Sequence, residues 1–346
     1  MPGSLVGDVV AVPSFHVTLA AFGFSVALVA TLVAASAFAQ RLDRVGVRLG
    51  FSEALLGVLT AAAADTPELS AALAAILRGE RDVGVGVVLG SNAFNLAAMI
   101  GVGAMVAGAV RPRRSSLLLE AIVATWMMVA ISSLLLGWTS PIVALAVSAV
   151  VVVPYVAVLV LGDVRLHLLP MPERVHAVLR DALGGGFAHY RAAPHEGAWW
   201  RAAGFMAAAV IVIVAGSAVM VETSLVIADA LAMPHALVGL LVLAVVTSLP
   251  NMATALRLAR QGRGDATVSE TMNSNAINLV GGIAIPTAIL GVGAMAATVQ
   301  HELLWLAALT AGTLLALARP QGAGRVAGFL LVLAYLAFVV TSAVGG

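Results

Sequence analysis

The sequence predicts an all-α membrane protein of about ten transmembrane helices, arranged as two inverted five-helix repeats. Three observations carry that prediction: an apolar composition, basic residues confined to alternate loops, and a pair of polar motifs that recurs 183 positions later.

Composition decides the class. Hydrophobic residues make up 61% of the 346 and charged residues 10%, and the mean hydropathy is +1.06. A soluble globule of this length needs far more polar surface. No cysteine is present, so disulfides and thiolate metal sites are excluded. The net charge of +1 offers no basic footprint, and nucleic acid is not expected as a partner.

Apolar runs long enough for a hydrocarbon core of about 30 Å, roughly 20 helical residues, are predicted at 14–39, 51–77, 83–110, 116–137, 141–162, 202–228, 236–258, 266–293, 302–318 and 325–344. The first reads as a retained span, because no basic residue precedes it and no cleavage pattern follows it. All eighteen basic residues are arginines. Arg41, Arg44 and Arg48 follow span one, Arg111, Arg113 and Arg114 span three, and Arg165, Arg174, Arg180, Arg191 and Arg201 span five. Arg257, Arg260 and Arg263 follow span seven, and Arg319 and Arg325 follow span nine. Only Arg78 and Arg81 fall on the other side, beside Glu80 and Asp82. Cytoplasmic loops accumulate arginine, so both termini are predicted outside, in a cell (plasma) membrane. One missed span would put the later arginines on the wrong side, which supports the count of ten.

The expected organisation is a first repeat over 1–162, a cytoplasmic loop over 163–201 and a second repeat over 202–346. In the loop, "PERVHAVLRDAL" places Val175, Val178 and Leu179 on one face and predicts a short interfacial helix. The glycines at 184–186 form a break, and Trp199 and Trp200 fit an aromatic belt. His189, His195 and Glu196 have no spacing specific to a metal site.

Sliding the chain by 183 positions superposes Pro67 on Pro250, Gly79 on Gly262, Asp82 on Asp265, Ser91 on Ser274, Asn92 on Asn275, Asn95 on Asn278 and Leu96 on Leu279, without a gap. The shift carries span two onto span seven and span three onto span eight. Five spans is an odd number, so the copies run through the membrane in opposite directions. Secondary transporters are built this way, with the substrate site where the repeats meet.

The stretch "AAAADTPELS" sets Asp65, Pro67 and Glu68 inside an apolar run. Each carboxylate costs about 2.5–3.5 kcal/mol at a helix centre, and no basic residue shares their span. Three apart, they occupy roughly one helix face. Pro67 lacks an N–H and frees carbonyl oxygens, which is tolerated where backbone lines a polar cavity. Carboxylates, amides, hydroxyls and carbonyls make an all-oxygen set, suited to hard cations. The bland alternative is packing, with one acid protonated against a neighbouring helix.

In the second repeat "TSLPN" supplies Thr247, Ser248 and Asn251; "GSNAFN" and "NSNAIN" place Ser91 with Asn95 and Ser274 with Asn278, four apart on one face. A lone Ser or Asn in a membrane helix is often interhelical glue; duplication of the whole pattern argues against that here. These motifs resemble those of the calcium/cation antiporter superfamily, the sodium/calcium-exchanger-like proteins, along essentially the entire chain. The resemblance implies ten spans in two inverted repeats and ion ligands Asp65, Glu68, Ser91, Asn95, Thr247, Ser248, Asn251, Ser274 and Asn278. Two departures stand out. Asn251 replaces a glutamate usual in the family, and Asp65 stands where a hydroxyl is usual, so the second carboxylate has crossed the site.

The function expected is secondary antiport of Ca2+ for Na+ or H+ by alternating access at a midplane site, with a monovalent cation/proton antiporter as the alternative. The counter-ion stays open at this stage. Inorganic cations and the lipid bilayer are the expected partners, no cofactor is implied, and the oligomeric state is not indicated. An intramembrane protease would need a nucleophile and base, or an aspartate from each of two helices. Asp65 and Glu68 share one helix, with no His nearby, so no catalytic residue and no enzyme are expected. Glu270, one turn before Ser274, is expected either on the cytoplasmic approach or snorkelling to the interface. Glu120 and Glu222 are expected in interfacial or packing roles, and Glu53, Asp229 and Glu302 as solvated caps. The glycines of span three, at 84, 86, 90, 101 and 103, are expected to allow close helix contact.

Overall fold

A computed structural model describes residues 15–48, 59, 61–165, 172–183, 199–291 and 299–345. Glu53, the glycines at 184–186, His189, His195 and Glu196 lie outside the described residues.

Helices follow the ten apolar runs. In the first half, α1 is Phe15–Arg48, α2 is Thr66–Leu77 preceded by a helical turn at 61–64, and α3 is Arg81–Ala107. Next come α4, Arg114–Leu135, and α5, Pro141–Arg165. The short α6, Glu173–Leu183, matches the expected interfacial helix. It packs on α4 and α5, and Ser115 donates a hydrogen bond to Asp181. The second half has α7, Trp199–Ala230, α8, His235–Thr247, α9, Leu249–Arg260, and α10 over 264–290. It ends with α11, Val299–Leu317, and α12, Arg325–Gly345.

Among the described residues six helices are individually long and apolar enough to cross a bilayer, and α8 with α9 makes a seventh span bent by 47°. Of the remaining runs, 51–77 is described only in part and is cut at Asp65, α10 carries the polar motif, and α11 opens on Gln300, His301 and Glu302. The two longest helices, α1 and α7, lie against each other at the edge, where Phe22, Val26 and Val33 are exposed for lipid. At the centre sits α3, with 94% of its apolar stretch buried against 22% for α1.

The breaks at Asp65 and Ser248 are equivalent. Backbone angles are φ −77°, ψ −9° at Asp65 and φ −81°, ψ −4° at Ser248, and a proline follows two residues later each time. Pro67 has no N–H for the Ala63 carbonyl, and Pro250 none for the carbonyl of Val246, so the helix restarts at α2 and α9. Thr66 Oγ1 donates to the Ala62 carbonyl at 3.1 Å. No sequence pattern announced three π-helical segments, Leu96–Val102 in α3, Val238–Leu243 in α8 and Val280–Ala284 in α10. Two of them follow Asn95 and Asn278, the kind of place where π-bulges are frequent.

Close helix contact is found where the glycines suggested it. A Cβ on Gly90 would lie 2.2 Å from the Leu240 carbonyl oxygen, and one on Gly86 would lie 2.9 Å from that of Ala236. From the facing side, a Cβ on Gly239 would meet the Val83 carbonyl at 2.2 Å. Thus α3 and α8 touch backbone to backbone.

Polar ties hold the helix ends. Asp265 accepts from the Arg113 backbone N–H at 2.6 Å and its Nε at 2.7 Å. On the opposite side His235 bridges Glu80, 3.2 Å, and Asp229, 2.8 Å. A two-residue antiparallel ladder, Ala109–Val110 with Ala323–Gly324, joins the loops before α4 and α12. One expectation fails at α11. Glu302 is buried rather than a solvated cap, because the first turn of that helix already lies within the bundle.

Candidate functional site

Two half-helices start at the breaks, and their first turns carry Glu68 on α2 and Asn251 on α9. A helix N-terminus favours negative charge, which offsets part of the cost of placing Glu68 there. The side chains of Asn95 on α3, and of Ser274 and Asn278 on α10, approach the same point from the crossing helices.

Hydrogen bonds join most of the predicted residues into one cluster. Asp65 Oδ1 accepts from Asn251 Nδ2 and from Ser274 Oγ, each at 2.5 Å. Glu68 accepts from Ser248 on one oxygen and Asn278 on the other. Asn251 Nδ2 also lies 3.4 Å from Glu68 Oε1 and 3.2 Å from Ser274 Oγ, and Asn95 Nδ2 is 3.1 Å from Ser274 Oγ. Both carboxylates therefore come from the first repeat and are held by amides and hydroxyls of the second. Ser91 and Thr247 stand apart from this web. Their hydroxyls donate to carbonyls of their own helices, Val87 and Leu243, and only their lone pairs remain for a ligand. All nine side chains are buried.

Donors run out before acceptors do. Asp65 Oδ2 and the Oδ1 atoms of Asn95, Asn251 and Asn278 are buried without a hydrogen-bond partner. Such an acceptor costs about 1–3 kcal/mol when left unsatisfied. Among the described residues no basic side chain forms an ion pair with Asp65 or Glu68, and none has three or more His, Asp or Glu clustered as a fixed metal centre. Two carboxyl groups without a basic partner and three amide oxygens without donors form an arrangement that a hard cation completes.

Sequence reasoning missed a contact at the heart of the cluster. Asn92 Nδ2 donates to the Asn275 carbonyl and Asn275 Nδ2 to the Asn92 carbonyl, each at 3.1 Å. Asn275 Oδ1 accepts from Asn95 at 3.1 Å as well. Two equal bonds between residues 183 apart place the pseudo-twofold axis between them. Their coincidence in the repeat was the available signal, but nothing in sequence said that they face each other.

Two further acids depart from interfacial positions. Glu270 is buried, with Oε1 unpartnered, and does not snorkel. Glu120 is 3% exposed and accepts from Ser269 Oγ at 2.5 Å and Tyr155 Oη at 3.2 Å. Glu270 belongs to α10 and Glu120 packs against it, so the polar face of α10 continues past the motif. Glu222 is exposed and pairs with Arg78 at 3.7 Å.

A family model described as sodium/calcium exchanger protein matches the chain twice, over residues 19–162 and 201–344. The chain belongs to the sodium/calcium exchanger family. As a member it is an integral membrane protein of a transporter family, with about ten transmembrane spans in two inverted repeats. Its relatives include the inner membrane protein YrbG of Escherichia coli (strain K12), 28% identical over 64% of this chain and 65% of that protein, just under two thirds of its length. Another is the putative antiporter CaxA of Alkalimonas amylolytica, 26% identical over 80% of this exchanger-family chain and 83% of that one. Among solved structures, the sodium-calcium exchanger NCX_Mj superposes with TM-score 0.57 at 18% identity, covering 94% of this chain and 99% of that one. The H+/Ca2+ exchanger CAX superposes with TM-score 0.69 at 16% identity, covering 93% and 81%. Both share the fold.

Proposed function

We propose that this exchanger-family chain moves Ca2+ against Na+ or H+ through one midplane site formed by Asp65, Glu68, Ser91, Asn95, Thr247, Ser248, Asn251, Ser274 and Asn278. The observation that carries the reading is the buried pair of carboxyl groups, without an ion pair among the described residues, beside three amide oxygens that lack donors. One divalent ion neutralises both charges, and the amide oxygens complete its shell. The names of NCX_Mj and CAX, exchangers of calcium for sodium and for protons, favour the same cargo and leave both counter-ions in play.

Antiport follows from charge. The empty site holds up to two negative charges within the membrane, so carrying it across is costly; loading with Ca2+ or with monovalent cations removes that cost. The repeats then rock about the site and expose it to either side in turn. We place the arginine-rich ends, and the segment 163–201, on the cytoplasmic side of a cell membrane, both termini outside, and take 1–162 and 202–346 as the moving units.

Reconstitution into liposomes tests the reading. Calcium uptake is expected when either a sodium or a proton gradient is imposed, and Glu68→Gln and Asp65→Asn are each expected to lower it by about a hundredfold or more, the scale of losing a buried charge partner. Folded wild-type protein that moves no calcium under either gradient would falsify the calcium assignment.

A further inference from the structure

A second polar cluster lies outside the site just described. Glu120 on α4, Tyr155 on α5, and Ser269 and Asn273 on α10 bring five side-chain oxygens together from three helices. Tyr155 Oη sits 3.2 and 3.4 Å from the two Glu120 oxygens and 2.8 Å from Asn273 Oδ1, yet it has one proton. Ser269 Oγ donates to Glu120 at 2.5 Å and accepts from Asn273 Nδ2 at 3.1 Å. With the Tyr155 proton on Asn273 Oδ1, Glu120 Oε2 has no donor in the cluster; with it on Glu120, Asn273 Oδ1 has none. Among the described residues Glu120 forms no ion pair, so a carboxylate inside the bundle has no positive partner.

Position and asymmetry give the cluster a role. Ser269 lies about 8 Å along α10 from its start and Ser274 about 15 Å, at 1.5 Å per residue, while Glu120 is about 9 Å into α4. Both helices begin at the arginine-rich side, so the cluster lies between that side and the Asp65/Glu68 site. Glu270, with its unpartnered oxygen, is next to Ser269 on the same helix. In the first repeat the equivalents of Ser269 and Asn273 are Gly86 and Gly90, pressed onto the α8 backbone. The cluster is thus an addition to one half and not part of the duplicated site.

We propose that Glu120, Tyr155, Ser269 and Asn273 form a second position for one monovalent cation, Na+ or a proton. One carboxylate among neutral oxygens balances a single positive charge, as the Asp65/Glu68 pair balances two. The position holds the counter-ion on its way between the arginine-rich side and the main site. The proposal rests on the antiport reading above.

Thermal unfolding of the purified full chain tests it, in sodium chloride or choline chloride, at acid and at alkaline pH, with and without calcium. Wild-type protein is expected to gain Tm from the monovalent cation, and Glu120→Gln to weaken that response by about tenfold or more in apparent affinity while keeping the calcium-induced shift. Tyr155→Phe, which keeps the ring, is expected to weaken it less. A sodium-dependent gain weakened in Glu120→Gln identifies Na+; a gain seen only at acid pH, equal in choline and weakened in the same variant, identifies the proton. A Glu120→Gln protein that answers sodium and pH as wild type does, or that loses the calcium shift in parallel, overturns the proposal. Wild-type protein that ignores calcium yet shows the Glu120-dependent monovalent response would instead sink the calcium reading alone.

Discussion

Helices α3 and α10 carry the same Ser-Asn-x-x-Asn pattern, but just before it they differ. One turn toward its start, α3 offers Gly86 and Gly90 to the backbone of α8. At the matching positions α10 offers Ser269 and Asn273 to Glu120 and Tyr155. The first surface is dry and closed by direct backbone contact; the second is polar. The duplicated residues explain why a site forms at the crossing, and the unduplicated ones make its two approaches unequal. Charge is unequal too, since both acids come from α2 and its preceding turn while α9 supplies an amide.

Breaking the closed side should have the largest effect. Gly90→Leu drives atoms into the Leu240 carbonyl and is expected to destabilise the fold by about 3 kcal/mol or more, toward the upper range for overpacking, read as a lower Tm of purified protein. Asn273→Ala, at the matching place on α10, should leave folding largely intact by the same assay.

Redistributing charge sharpens the second contrast. Asp65→Ser is expected to weaken calcium binding by about a hundredfold, close to 2.7 kcal/mol. Adding Asn251→Glu returns a carboxylate from the other repeat, and most of the loss should be recovered in equilibrium binding of radioactive calcium. No recovery would mean that the side supplying the charge matters as much as its amount.

A smaller effect is expected where the repeats are alike. Asn92→Ala and Asn275→Ala each remove one donor and orphan a carbonyl, costing about 1–3 kcal/mol. The double variant should cost less than the sum, because the two bonds form one unit. The smallest change is Arg78→Ala. Its exposed pair with Glu222 spans 3.7 Å, and the loss should stay below about 0.5 kcal/mol after solvent screening.

Much of this was legible in the chain because membranes force it to be. Long apolar runs and sixteen arginines on one side leave few topologies, and prolines two residues after Asp65 and Ser248 mark breaks wherever they occur. Ser91, Asn95, Ser274 and Asn278 stood out as candidates because their pattern occurs twice, and the structure gathers three of them, Asn95, Ser274 and Asn278, around Asp65 and Glu68. What stayed hidden depended on rotation about helix axes. Asn92 and Asn275 were visible as a repeated pair but not as partners, and Glu120, six residues into its helix, read as near an end although α10 covers it. The π-helical turns after Asn95 and Asn278 have no side-chain signature, since they arise from how the backbone accommodates its neighbours.

The reciprocal Asn92–Asn275 pair has a geometric consequence. A point on a rotation axis maps onto itself, so a rearrangement that exchanged the conformations of the two halves would return this pair to the same bond lengths while Gly90 and Asn273, off the axis, are displaced. In spectroscopic terms, amide probes at 92 and 275 should each keep one signal through such an exchange, different for the two residues because only Asn275 Oδ1 accepts from Asn95. Probes at 90 and 273 should show two, and the stationary pair would serve as the internal reference against which their displacement is read.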